Sequence, residues 1–406
     1  MPATKEVIMK VTKIEVLEAE LSGQNGIASW HHVFARVHTD EGISGLGEIG
    51  MAYGTGARAG GPMVLALGER FVLGHDPMST ETIWERMLRK SFWAEGGGPV
   101  VFGAMSAIDA ALWDIKGRAA GKPVHQLLGA DTPAPLRCYA SQLQFDWGTN
   151  EVVNLVEPAR YKDAAVRARE EGYDAVKVDP LMVAMDGSRA ARLRGILTPE
   201  QRRMVRARME AIRDGIGPDA DIILELHSFT STAGALQTAE EVKDLGILFM
   251  EEPTHYNGAR AHNRAARKSP VPIAAGERMY TRWGFLPYLE AESLDMIQPD
   301  VGLVGGISEA MKIAHLAHTF DVGVQAHVCG SPLASAIALQ FEAAIPNFEI
   351  HEHHTYAQKS CNRDLFLEDL QPQRGRFHVP TGPGLGMTLS PDAERLMTKT
   401  SVQLAR

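Results

Sequence analysis

Cysteine is scarce in this chain, with only Cys138, Cys329 and Cys361 among 406 residues. They are widely spaced and odd in number, so neither a disulfide framework nor a zinc knuckle follows from them. An excess of positive charge is also missing. Against 50 Asp and Glu stand 41 Lys and Arg, a formal net charge of −9. That balance excludes a nucleic-acid partner held by general electrostatics. No apolar run reaches the roughly 18–20 residues needed to span a bilayer, so no membrane partner is expected. The opening stretch MPATKEVIMKVTK has no apolar core of the kind a secretory signal requires, and a cytoplasmic location is expected. Two familiar motifs fail as well. HEHHT at 351–355 has Thr355 where HExxH needs its second histidine, and GPGLG at 382–386 lacks the third glycine of a dinucleotide fingerprint.

What is present is a sizeable core: 45% of residues are hydrophobic. The length exceeds one ordinary domain and suits a large α/β barrel with a smaller companion. Residues 10–50 read as β-structure, with VFARVHTDEGISGLGEI turning at Thr39-Asp40-Glu41-Gly42. MAYGTGARAGG at 51–61 reads as a glycine-rich loop. From about 63 to 129 the spacing is helical, and in AIDAALWDIKGRAAGKPVHQLLG the residues Ala107, Ile108, Ala111, Leu112 and Ile115 share one face. Residues 1–130 are thus expected to form a small α+β domain.

A rhythm follows. RCYAS (137–141), AVKVD (175–179), IILEL (222–226), LFMEE (248–252), IAAGE (273–277), MIQPD (296–300), GVQAH (323–327) and FEIHE (348–352) are short apolar runs, most followed by a helical stretch. Strands alternating with helices form parallel βα units, and eight of them predict a βα barrel over 131–354. LMVAMDGSRAARLRGILTPEQ reads as a loop inserted after the second strand. Residues 355–406 are rich in Pro and Gly and are expected to pack back on the first domain.

The polar residues keep the same beat. Glu225, Glu251 and Glu277 are spaced by 26 and 26 residues, and Asp300, His327 and Glu352 follow at 23, 27 and 25. Each falls near a C-terminal strand end, where a βα barrel builds its active site. Lys177 and Asp179 occupy that place in the second strand, and His227 lies two residues beyond Glu225. Three carboxylates in one cavity raise one another's pKa, or a cation sits among them. Oxygen-only ligands favour a hard octahedral ion, Mg²⁺, with Mn²⁺ as a substitute. Lys177 and the metal would meet an anionic substrate. His327, with Asp300 behind it, is a candidate base, and His227 lies across the cavity. That set fits removal of a proton α to a carboxylate, followed by racemisation or by loss of a β-hydroxyl. Lys177 and Asp179 also admit a structural ion pair. His351, His353 and His354 read as rim residues with Glu352 pointing inward. Trp30-His31-His32 reads equally as packing or as a lid contact.

The stretches AIDAALWDIKGRAAGKPVHQLLG, MEEP (250–253), GER (276–278), QPDVGLVGGISEAMKIAHLA and PTGPGLG (380–386) resemble the enolase superfamily, mandelate racemase subgroup, over essentially the whole chain. The resemblance implies an α/β fold: a modified TIM-type (β/α)7β barrel with an α+β capping domain built from both ends of the chain. It implies Glu225, Glu251 and Glu277 as Mg²⁺ ligands and His327 with Asp300 as the catalytic dyad. It implies Glu352, with Glu349 as a rival, as the hydrogen-bond partner of a substrate carboxylate. A homo-oligomer, octamer or dimer, is also implied. A racemase of the subgroup has a second lysine where this chain has Asp179. His227 and GERMYTRWGF (276–285) instead resemble galactonate and mannonate dehydratases. The expected reaction is therefore dehydration of a monocarboxylic sugar acid to a 2-keto-3-deoxy acid. A racemase, epimerase or cycloisomerase is the enzymatic alternative, and an inactive metal-binding barrel the alternative of another class. Lid loops at about 20–32 and 51–61, carrying Trp30, are expected to hold the far end of the substrate with Arg282, Trp283 and Asp179.

Overall fold

Alternating burial along Val11–Glu20 (β1), His31–Thr39 (β2) and Ser44–Glu48 (β3) makes an antiparallel sheet with one face on a core. Gly42, at φ +77°, supplies the left-handed residue of the predicted turn into β3. Helices Ala57–Phe71 and Pro99–Ala120 cover the sheet, and Thr80–Lys90 packs against these two helices. A side chain at Gly45 or Gly47 would collide with the backbone of Pro99–Ala120, so these glycines let helix and strand lie in direct contact. The computed structural model describes residues 9–190, 195–255 and 259–405. The expected 51–61 loop is shorter than its composition suggested, because Ala57 already opens a helix that buries Gly60 and Gly61.

The barrel follows from eight parallel strands: Leu136–Ser141 (β4), Ala175–Val178 (β5), Asp221–Glu225 (β6), Ile247–Glu251 (β7), Ile273–Ala275 (β8), Met296–Ile297 (β9), Gly323–Val324 (β10) and His351–His354 (β11). β11 pairs with β4, and the circle closes where Val324 donates to Asn347 and accepts from Glu349, at 2.8 and 3.0 Å. Seven helices connect consecutive strands, from Pro158–Glu170 to Pro332–Glu342. All eight predicted runs contain or adjoin a strand, but three are displaced. β9 and β10 stop after two residues, leaving Asp300 and His327 on the loops beyond, and β11 begins three residues later than FEIHE.

The C-terminal segment returns to both units. Arg376–Phe377 (β12) pairs with β4, and Thr398–Gln403 (β13) adds a fourth strand to the first sheet beside β1. Arg36 of β2 is held by Glu394 at 2.7 Å.

Inside the barrel, Tyr139, Ala175, Ile223, Phe249, Ala274 and Ile350 form a closed apolar floor. The pleat points residues two apart to the same side. Two residues beyond this floor therefore come Ser141, Lys177, Glu225, Glu251 and Glu352, facing the same interior one layer higher.

Candidate active site: a carboxylate trio between two histidine–aspartate pairs

Glu225, Glu251 and Glu277 each place a carboxylate oxygen within 4.8 Å of the others, a spacing that one divalent ion can bridge. Glu225 Oε2 is buried with only the Lys177 ammonium, 3.3 Å away, beside it. Lys177 Nζ lies 2.9 Å from Glu251, 3.3 Å from Glu225 and 2.8 Å from Glu352. Burial pushes the Glu251 carboxyl well above its ordinary range, and the neighbouring Glu225 charge adds to the effect. At Glu225 burial pulls the same way but loses to His227 and Lys177, which hold its carboxyl down at about 2. Burial likewise raises Glu277 against the pull of His327. The three groups do not all ionise readily on their own, and their spacing suits a divalent cation.

On one side His327 Nδ1 meets Asp300 Oδ2 at 2.8 Å, and its Nε2 lies 3.5 Å from Glu277. On the other, His227 Nδ1 meets Asp179 Oδ2 at 2.7 Å. Asp179 Oδ1 accepts from Leu181 N at 2.8 Å, so both its oxygens are engaged. Each aspartate thus fixes its imidazole with Nε2 turned to the cavity. Burial disfavours charge on either ring, yet Glu277 and Asp300 raise His327 well above its usual value, and Glu225 and Asp179 raise His227.

His227 does not reach the site as part of a strand. β6 ends at Glu225, and His227 and Ser228 adopt left-handed φ of +45° and +57°. His227 N donates to Glu225 Oε1 at 2.6 Å, and Ser228 N to Glu252 O at 3.0 Å. A strained turn, not the pleat, aims this imidazole.

Glu352 accepts from Ser141 Oγ at 2.6 Å and from Val328 N at 3.0 Å, which ties β11 to β4 and to the loop bearing His327. Glu349 lies on the exposed side of the barrel wall and does not compete with it. Trp30 is buried and lines the cavity, together with Met51 and the half-exposed Tyr53 of the neighbouring loop.

Other sequence expectations are corrected. Arg282 pairs with Glu309 at 2.5 Å and stacks on Trp283, and neither lines this cavity; Trp283 borders a neighbouring cleft. The helix that begins at Thr281 turns both away from the site. Asp179 is behind His227 rather than against a substrate. Two of the HEHHT histidines are not rim residues: His351 pairs with Glu342, His353 with the Tyr173 hydroxyl, and both are buried. His354 does line the cavity. Arg189, Tyr356, Gln142 and Cys329 line it too and were missed. They come from loops without periodicity, which give no sequence signal.

A closed parallel barrel, capped by an α+β sheet and carrying an acidic trio beside two imidazoles, defines a class of barrel proteins with a carboxylate cluster at the strand ends. Comparison with known families agrees with it. Residues 160–393 match the family described as "Enolase C-terminal domain-like", and 23–129 match "Mandelate racemase / muconate lactonizing enzyme, N-terminal domain". The chain belongs to this enolase superfamily group. It is 31% identical over 384 residues to the D-xylonate dehydratase of Haloferax volcanii, covering 94% of this chain and 89% of that one. It is 32% identical over 365 residues to the D-galactonate dehydratase of Verminephrobacter eiseniae, covering 88% of each. A crystal structure of an enolase superfamily member from Salmonella Typhimurium superposes with a TM-score of 0.93 at 44% identity, over 98% of this chain and 100% of the other. The protein is an enzyme of the hydro-lyase type.

Proposed function

We propose that the protein dehydrates a sugar acid bearing hydroxyls at C2 and C3. The reading is carried by one observation: two imidazoles, each tied by Nδ1 to its own aspartate, face the carboxylate trio from opposite sides. His327, in the neutral form that a cation held by Glu277 would favour, takes the C2 proton at Nε2. The C3–O bond breaks as His227 Nε2 gives its proton to the departing hydroxyl, and water leaves. The enol that results tautomerises to a 2-keto-3-deoxy acid. Lys177 meets the substrate carboxylate, and Glu352, 2.8 Å from Lys177 Nζ, holds that ammonium in place. Lys177 is itself no base. Burial opposes its charge, but Glu251 and Glu352 outweigh burial and keep it protonated. Glu225, Glu251 and Glu277 would hold Mg²⁺, or Mn²⁺ in its place, which supplies Lewis-acid stabilisation of charge developing on the substrate carboxylate. The lid residues Trp30 and Tyr53 exclude water from that step.

The two histidines can be separated by experiment. In D₂O with Mg²⁺, His227→Asn should still exchange the C2 hydrogen while losing keto-acid product by about 10²–10⁴-fold. His327→Asn should lose both exchange and product. Keto-acid release by His227→Asn at the wild-type rate would remove the elimination step as written. Exchange with no keto acid in the wild type would favour a racemase or epimerase. Metal binding with neither exchange nor product, across a broad panel of sugar acids, would favour an inactive barrel. The same reading places the enzyme in the cytoplasm as a homo-oligomer, which light scattering of the purified chain tests. Among the described residues no helix is long and apolar enough to cross a membrane.

A further inference from the structure

The lid side of the cavity, away from the trio, holds a group of side chains that the reaction above does not use. Arg189, from the loop after β5, donates from Nη1 to the Tyr53 hydroxyl at 2.7 Å and from Nη2 to the Tyr356 hydroxyl at 3.3 Å. Its guanidinium lies over the Phe145 ring, 4.5 Å from the centroid, and over Tyr53 at 5.7 Å. Arg189 thus joins the capping domain, the inserted loop and the segment after β11 across one cavity of about 770 Å³. Its recorded partners are all neutral. Among the described residues one other arginine lines this cavity, Arg278, and it is ion-paired with Glu252 and with Glu277.

The hydrogen-bond inventory of this group is one-sided. A guanidinium carries five N–H donors and no acceptor, and two of the five are used here. Each phenol oxygen already accepts from Arg189, so the hydroxyl hydrogens of Tyr53 and Tyr356 are left to donate elsewhere. His354 Nδ1 accepts from Tyr356 N at 3.1 Å, which puts the hydrogen of the neutral ring on Nε2, a further donor. Arg189, Tyr53, Tyr356 and His354 therefore offer the cavity donors and one positive charge. A sugar hydroxyl brings a hydrogen as well as an acceptor and satisfies such a group poorly. A carboxylate brings acceptors alone, with about four lone-pair sites and a negative charge, and it matches the fork of a guanidinium.

We infer that this end of the cavity binds a second carboxylate, so that the preferred substrate is a dicarboxylic sugar acid rather than one ending in a hydroxyl. The inference rests on the sugar-acid reading and replaces the monocarboxylic expectation drawn from sequence. One carboxylate meets Lys177 and the cation that the acidic trio would hold, and the other meets Arg189 under the lid. The aromatic faces hold the guanidinium plane while leaving its edge free. Desolvation under the lid strengthens the charge-assisted bond.

The test is a set of matched pairs: six-carbon aldonates, and the aldarates that differ from them only in oxidation of C6. With Mg²⁺ present, some aldarate should exceed its matched aldonate in kcat/KM by about 10-fold or more. Arg189→Met should reduce that ratio to about one, chiefly through KM for the aldarate, and Arg189→Lys should restore part of it. Aldonates turned over as well as their aldarates, or a ratio indifferent to Arg189→Met, would overturn the inference. If neither series gives product, the dehydratase reading fails, and thermal protection of the Mg²⁺-loaded protein by the same pairs decides the inference alone. Stronger protection by aldarate that vanishes in Arg189→Met supports it, and equal protection by both overturns it.

Discussion

At the scale of single residues, Lys177 shows how charge is shared in the site. It is a buried ammonium with three carboxylates within 3.3 Å, two of them in the trio that would hold a cation. Lys177 and a divalent ion therefore compete for the same negative field. Two unit charges about 4 Å apart interact by roughly 4 kcal/mol at an effective dielectric constant near 20. Replacing Lys177 with Met keeps much of the volume and removes that competitor. The expected outcome has two opposite signs. Mn²⁺ should bind Lys177→Met at least as tightly as wild type, and saturating Mg²⁺ should raise its melting temperature by more. Activity should fall by about 10³-fold or more, because the substrate carboxylate loses its cation. Weaker Mn²⁺ binding, measured by titration calorimetry, would show that Lys177 supports the metal site rather than opposing it. Much of this site could be read from spacing alone, because Glu225, Glu251, Lys177 and Glu352 each stand two residues beyond a floor residue in a pleated strand. Asp179 could not be assigned in the same way. Its sequence position allowed an ion pair or a substrate contact, and only its 2.7 Å bond to His227 gives it a positioning role.

At the scale of elements, the strands legible in sequence were those whose apolar run matches the length of pairing. β4 to β7 begin and end within one residue of their runs, because each is buried on both faces. β9 and β10 pair over two residues only, since the chain leaves the sheet to carry Asp300 and His327 inward. The loop holding Arg189 has no period to read, and Arg282 was misplaced because a helix start at Thr281 redirects it. Helix Pro99–Ala120 shows what joins these elements. Its Asp114, buried within the helix, accepts from Leu46 N of β3 at 3.0 Å and from Leu385 N of the C-terminal segment at 2.8 Å, and pairs with Arg118 at 3.0 Å. One carboxylate thus fastens sheet, helix and C-terminal segment. Asp114→Ala strands two buried N–H groups, each costing about 1–3 kcal/mol. Urea unfolding should show a loss of about 3 kcal/mol, and Asp114→Asn, which keeps an acceptor, should lose less. A loss under about 0.5 kcal/mol for Asp114→Ala, the level of an ordinary surface change, would mean that water replaces the carboxylate there.

At the scale of the whole molecule, the capping domain docks on the loop that carries Asp300. Gly50 N donates to Gly302 O at 3.0 Å, Ser106 Oγ accepts from Gly305 N at 2.9 Å, and Trp84 Nε1 donates to Gly305 O at 2.8 Å. The loop after β3 is thereby registered against the His327–Asp300 pair. Asp109 lies at the centre of this joint. It accepts from Ser308 N at 2.9 Å and Ser308 Oγ at 2.6 Å, at the start of the barrel helix Ile307–Thr319. Burial and these bonds oppose each other, and burial wins: the Asp109 carboxyl is pushed up from 3.8 to about 7. The folded protein keeps this proton to about pH 7, whereas the unfolded chain gives it up near 3.8. The stability it contributes is therefore present below about 3.8 and is lost as pH rises through about 7. The shift of about three units bounds the effect at roughly 4 kcal/mol. Asp109→Asn stays neutral across that window and keeps an oxygen for Ser308 N. Measured by urea unfolding between pH 4.5 and 8, the variant should gain on wild type steadily as pH rises. Parallel profiles would mean that Asp109 ionises freely in the folded protein, and that the joint between cap and barrel tolerates a buried charge.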